Sequence, residues 1–329
     1  SAASDVYKRQ HLDRNFLYYS RYAMQKGWRV MIDFITTPFS LEDLKKLKEA
    51  GSTSVVIGTP FFSVRNVHDF SVEELPLVKK ECHKLGLRMY VLVNRFFVEE
   101  ELEALREHLQ RLKDLDVDGI YYGDEGVYQE AKALGIENRL IYNPDTLITN
   151  HSDVQYYLDE GISMVTISKE ITLDEICAIA KKVQGECEVI IHGRLNMMHS
   201  KRNLLSNYFS FLGKEEDIRN KMDLYLMEEH RDEHMPIVED ETGTHVFTGF
   251  TLSSFDEIKD MVHAGIRHFR IDGIFHDADY VIEALKLYKS ILQDEVKGRE
   301  VFEAYKKKYE KDHVTHGFYY TKTSKVKEG

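Results

Sequence analysis

The sequence predicts a TIM-like (β/α)8 barrel with a long insertion between its seventh and eighth strands. Three observations carry this expectation. Eight short apolar runs of strand length recur over residues 30–292, amphipathic segments separate them, and glycines such as Gly51, Gly86 and Gly135 end several of those segments. An open doubly wound sheet fits less well, because eight units suit closure and no glycine fingerprint for a dinucleotide follows the first strand.

Residues 1–10 have no periodicity and receive no structural weight. Residues 11–29, with Phe16, Tyr18, Tyr19, Tyr22 and Met24, complete an N-terminal extension expected to hold a short helix. The first strand is expected at 30–36, stopped by Pro38. Ser40 and Asp43 then resemble a capping box for a helix over 41–50. SVVIG (54–58) is the second strand, and a loop with Arg65, Asn66 and His68 leads to a helix over 72–85. RMYVLV (88–93) and a helix over 98–115 follow, then a strand over 118–122 and a helix over 127–134. Strands over 139–142 and 164–168 flank a small helix near 154–158, and a helix over 171–183 leads to the seventh strand, 188–191, closed by His192-Gly193. The eighth strand is 268–272, between helices over 255–264 and 278–292.

The insertion, 194–252, is too long to be a passive connection. Residues 204–212 read as a docking helix or lid, 214–234 as a charged segment with an apolar thread, and 236–249 as a β-hairpin turning at Thr242-Gly243. Residues 293–329 read as a solvated charged helix and an aromatic tail. Phe318, Tyr319 and Tyr320 are expected to fold back on the barrel, to meet a partner or to stack on a base.

Barrel strands present their C-terminal ends on one face, where sites are built. The ends expected there are Thr36, Thr37, Asn94, Arg95, Asp124, Glu125, Asn143, Asp145, Lys169, Glu170, His192, Arg194, Asp272 and His276. Loop polarity alone accounts for such residues singly. His192, Glu170, Asp124 and Asp272 are the candidates for acid–base chemistry. Asn94, Asn143, Lys169, His192, Arg194, Asn196, Lys201, Arg202 and Asn203 are the candidates for binding a ligand, RNA or a partner.

A net charge of −12 speaks against holding nucleic acid by bulk electrostatics. Three cysteines, Cys82, Cys177 and Cys187, supply neither a disulfide framework nor four thiolates for an iron–sulfur cluster. No metal is expected, since His230 and His234 sit in a charged segment that reads as a solvated helix face. No G-x-S-x-G elbow fixes a nucleophile. With neither a signal-peptide core nor an apolar run of spanning length, a cytoplasmic protein that does not enter membranes is expected.

HGRLNMMHSKRNLLSNYF (192–209) resembles the signature of peptidase family U32, the collagenase-like proteases, whose pattern is similar to HGALCMxYSGRCLLSNY. YLMEEHR (225–231), PIVEDETGT (236–244), LEDLKKLKEAG (41–51) and THGFYYTKT (315–323) extend the resemblance over residues 30–323. It implies either peptidase activity or RNA 5-hydroxylation, on uridine 34 of tRNA or a cytidine of 23S rRNA, with a cluster held by four cysteines. Two of those cysteine positions match Asn196 and Asn203, and 211–225 has no cysteine for the others. Amide oxygens do not replace thiolates. No cofactor is therefore expected on this chain, and the resemblance implies a cluster-free subunit supporting tRNA hydroxylation beside a cysteine-bearing paralogue, reaching tRNA through that complex. A peptidase, or a barrel binding a small carboxylate, are the alternatives.

Overall fold

In a computed structural model, the structure describes residues 31–145, 147–214, 216–227, 229 and 233–322. The expectations for residues 1–30 and for His230 lie outside them.

Seven parallel strands come first: β1 (Asp33–Thr36), β2 (Ser54–Ile57), β3 (Arg88–Val93), β4 (Gly119–Tyr122), β5 (Leu140–Tyr142), β6 (Met164–Thr166) and β7 (Glu186–Ser200). An arm follows, made of β8 (Tyr225–Met227), β9 (His234–Asp240) and β10 (Gly243–Ser253), before β11 (His268–Ile271) returns to the barrel. β11 pairs in parallel with both β1 and β7, so the eight-stranded cylinder is closed.

Helices α1 (Asp43–Ala50), α2 (Leu75–Leu85), α3 (Leu102–Asp114), α4 (Glu125–Ala133), α5 (His151–Asp159) and α6 (Leu173–Ala180) occupy the successive crossovers. Their starts have local causes. Asn150 accepts the amides of Ser152 and Asp153 at 3.0 Å to open α5, and Thr172 with Glu175 forms a capping box for α6. The capping box expected at Ser40 does not form. Ser40 donates to the buried Asp43 carboxylate at 2.9 Å, which ties the loop down without receiving a helix amide.

The seventh strand differs most from expectation. It does not end at His192-Gly193 but runs on to Ser200, leaving the barrel to pair antiparallel with β10. Gly193 permits the departure: its φ is 118°, and a Cβ there would lie 2.5 Å from the Asp272 carbonyl oxygen. The hairpin of β9 and β10 is the one anticipated near Thr242-Gly243, with Thr242 N–H donating to Asp240 at 2.7 Å. The segment 214–234 carries strand β8, paired with β9, where the sequence suggested a helix face.

Helix α7 (Leu204–Phe211) seats Leu205 on Met235, Ile237 and Val246. The fully buried Glu239 receives the Leu205 amide at 2.8 Å and the Ser206 amide at 3.2 Å, so a carboxylate on β9 caps this helix.

Helices α8 (Ile258–Ala264), α9 (Ala278–Leu292) and α10 (Gly298–Lys308) complete the chain with β12 (Val314–Thr315). α10 is not merely solvated, for Val301, Phe302 and Tyr305 are buried. The tail folds back: Tyr319 is buried with its hydroxyl 2.6 Å from Ser254, and Tyr320 donates to Glu257 at 2.9 Å.

Ile35, Val56, Tyr90, Leu92, Tyr121, Ile141 and Met164 form an apolar cluster of barrel-strand residues. At the strands' N-terminal ends, His268 sits between Asp33 at 2.9 Å and Glu186 at 3.0 Å, and Arg88 contacts Asp33 at 2.6 Å. Burial opposes charge on His268, but the bonds to Asp33 and Glu186 outweigh it and push its pKa up to about 9. Burial likewise opposes charge on Asp33, yet His268 and Arg88 hold it down to about 2.

The stabilisation from His268 is therefore complete below its ordinary value of 6.5 and is lost as pH rises through about 9. That from Asp33 is present above 3.8 and is lost as pH falls through about 2. In urea titrations between about pH 6 and pH 10, the wild type should lose on the order of 2 kcal/mol more stability than His268→Gln. Parallel losses would show that this histidine does not hold the barrel floor.

Candidate binding site at the barrel mouth

The C-terminal ends of the strands, the loop after β2 and the root of the arm enclose a cavity of about 40 Å³. Asp145 is its electrostatic centre. Its carboxylate meets Arg65 at 2.6 Å and Lys169 at 3.2 Å, and Asn196 approaches it at 3.5 Å. Asn143 Oδ1 accepts the Asp145 amide at 3.3 Å, within a turn in which Asp145 adopts a φ of 71°. Burial pushes the Asp145 pKa up, but the charges of Arg65 and Lys169 prevail and hold it at about 2. Lys169 is buried, with 3% of its side chain exposed, so it depends on this partner.

Across the cavity, Arg270 contacts Asp272 at 3.1 Å and lies over the Tyr121 ring, 5.1 Å from its centroid. Tyr121 and Thr166 both donate to Glu188 on β7, whose pKa burial raises. Arg194 donates to the Thr248 carbonyl at 2.8 Å and reaches Asp312 at 3.8 Å. Asn94 grips the backbone of Val64 through both its oxygen, at 3.0 Å, and its nitrogen, at 3.3 Å, so it shapes the loop carrying Arg65.

Asn94, Asn143, Lys169, Arg194, Asn196 and Asp272 thus converge on one cavity. Six others are placed elsewhere. His192 is fully buried outside the lumen, because a register shift beside Ile191 turns it away after Glu188 and Ile190. Its ring nitrogens meet the hydroxyls of Tyr288 at 3.2 Å and Tyr280 at 3.0 Å, both on α9, and burial pushes its pKa down to about 3. Asp124 caps α4, accepting the amides of Gly126 at 2.7 Å and Phe97 at 2.8 Å. Lys201 and Arg202 are exposed on the turn after β7, where Lys201 donates to the Phe96 carbonyl at 3.1 Å. Asn203 leads into α7 and Glu170 follows Lys169; neither lines the cavity.

Strand-end reasoning missed Arg65 and Arg270. Arg65 lies well past β2, and only the fold of its loop returns it to the mouth. Arg270 had a signal: a cation inside the apolar run HFRI, on an inward position of the strand.

The donor set does not fit the iron–sulfur cluster that the family resemblance implies. Asn196 and Asn203, which the resemblance sets at two ligand positions, offer only amide oxygens, and burial pushes the thiols of Cys82 and Cys187 up to about 12, keeping them protonated. Among the described residues no group of three or more His, Cys, Asp or Glu has metal-holding geometry.

Asp145→Asn preserves size and tolerates positive φ but strands Lys169 beside Arg65. Urea unfolding should show a loss of about 3 kcal/mol, and Lys169→Met in the same background should recover part of it. A near-neutral Asp145→Asn would remove Asp145 from the centre of the site.

The profile of peptidase family U32 matches residues 39–328. tRNA hydroxylation protein P2 of Bacillus subtilis (strain 168) is 32% identical over 277 residues, covering 83% of this chain and 90% of that protein. tRNA hydroxylation protein P1 of the same bacterium is 25% identical over 259 residues, covering 77% of this chain and 61% of P1. The corresponding protein P of Escherichia coli (strain K12) is 23% identical over 305 residues, covering 79% and 67%. With the barrel closed, the arm in place and the match running through both, this chain belongs to peptidase family U32.

Proposed function

We propose that this chain is a cluster-free U32 subunit of a tRNA uridine hydroxylation system, acting beside a cysteine-bearing relative that holds the redox centre. The observation that carries this reading is the similarity to protein P2, at 32% identity over 90% of that protein's length, in a chain with three cysteines in all; in this reading Asn196 and Asn203 replace two of the cluster ligands. Asn196 has been absorbed into the polar mouth through Asp145, which supports a retained structural use for the segment without its redox ligands.

In this role the exposed Lys201 and Arg202 meet phosphate or the partner, while Asn203 stands at the N-terminus of α7. A chain of net charge −12 gains RNA affinity from local cations and from its partner rather than from its overall field. No helix among the described residues is long and apolar enough to cross a membrane.

The test is mass spectrometry of tRNA nucleosides from cells lacking the gene, complemented with wild type or Arg202→Ala, together with co-purification against the cysteine-bearing relative. Loss of 5-hydroxyuridine restored by the wild type and less fully by Arg202→Ala, with stable association, is the expected result. Unchanged 5-hydroxyuridine and no association would overturn the reading. Peptide release by the purified chain would replace it with peptidase activity.

A further inference from the structure

We infer that the outward face of helix α7 is the contact through which two copies of this chain pair about a two-fold axis. From Asn203 to Gly213 the sequence holds no charged residue, in a chain that is 30% charged overall. The helix is therefore apolar on both sides. Leu205 is seated inward on Met235, Ile237 and Val246, while Leu204, Tyr208, Phe211 and Leu212 are 43%, 57%, 85% and 46% exposed. Helical spacing puts Leu204, Tyr208 and Phe211 on one stripe, with Leu212 at its end. A helix that is apolar all round is one that is covered all round.

The sheet beneath α7 widens this stripe. Met198 on β7 is the cross-strand partner of Val246, and Leu226 on β8 is that of Met235, so both share the face on which α7 lies. They stand on the two outer strands of the arm and are 59% and 43% exposed. At roughly 150–250 Å² per large side chain, the six residues at these exposures present on the order of 600 Å² of apolar surface. That is the upper end of what a monomer leaves open, and with a polar rim it reaches the ~800 Å² per partner of a stable pair.

A second copy fits the face by symmetry and by charge. An isologous contact sets each residue against its counterpart across the axis. With the axis at Tyr208, Leu204 of one copy meets Leu212 of the other, since both lie four residues from it. The exposed Lys201 and Arg202 before the helix then approach the other copy's exposed Glu216 and Asp217 after it, which outweigh Lys214. The same attraction recurs at the opposite end. The contact is apolar at its centre and complementary in charge at both ends, which selects the antiparallel arrangement over the parallel one.

Pairing requires neither RNA nor the cysteine-bearing relative, so it is read independently of the proposed function. Sedimentation velocity of the full chain from about 1 to 100 μM should show a monomer–dimer equilibrium. Phe211→Glu, at a position exposed in the single chain, should weaken the dimer by on the order of 100-fold. Arg202→Glu should weaken it by about tenfold, and Glu216→Arg in the same chain should restore it. Tyr156→Glu, exposed on α5, should leave it unchanged. A wild type that stays monomeric across this range, or a dimer indifferent to Phe211→Glu, would overturn the inference. A monomeric wild type that binds the cysteine-bearing relative, and loses it on Phe211→Glu, would overturn it too and give the helix to that heteromeric contact.

Discussion

Strand β7 runs without a break from the barrel into the arm, and the mouth depends on that continuity. Its first half pairs in parallel with β6 and β11 inside the barrel; its second half pairs antiparallel with β10 in the arm. The exchange of partners occurs where Gly193 passes the Asp272 carbonyl too closely for any side chain. A residue with a Cβ there would have to push β7 away from the loop after β11, and Arg194, Leu195 and Asn196 would leave the cavity with it. Main-chain geometry at one glycine thus places side chains contributed by the arm against charges contributed by the barrel.

The charges in this lumen are arranged in tiers. At the floor, His268, Asp33, Glu186 and Arg88 neutralise one another; at mid-height, Arg270 lies above Glu188 and Tyr121; at the mouth, Asp145 serves two cations. Buried ion pairs add little net stability relative to apolar packing, but leaving one partner alone is expensive. Such tiers therefore specify arrangement more than they strengthen the fold. The floor is self-contained, whereas at the mouth Arg65 and Lys169 share Asp145 while Arg194 reaches Asp312 and Arg270 contacts Asp272, and Arg65 also lines the outer cleft.

The closed barrel was legible in the sequence because strand-length apolar runs and amphipathic helices repeat eight times, a pattern that residue chemistry imposes locally. Asn94, Asn143, Lys169, Arg194 and Asp272 were legible as well, since a strand end fixes the face on which the next residues emerge. His192 was misleading for a physical reason: one register shift beside Ile191 reverses which side of the strand a residue occupies, and nothing in EVIIHG announces it. Arg65 was hidden because its place depends on how a long loop folds, held by Asn94 from a different strand. Asp124 had a plain local role, and its position before α4 could have identified it as a cap.

Strand β12 gives the arm a late anchor. Val314 and Thr315 pair with Thr251 and Leu252 of β10, and Tyr319 meets Ser254 just beyond that strand. During synthesis the cylinder has all eight of its strands once Ile271 has emerged, but the root of the arm must wait for residues more than forty positions later. The barrel's strands and the anchor of its arm are therefore far apart in the chain, and the segment that fastens the edge of β10 is supplied last.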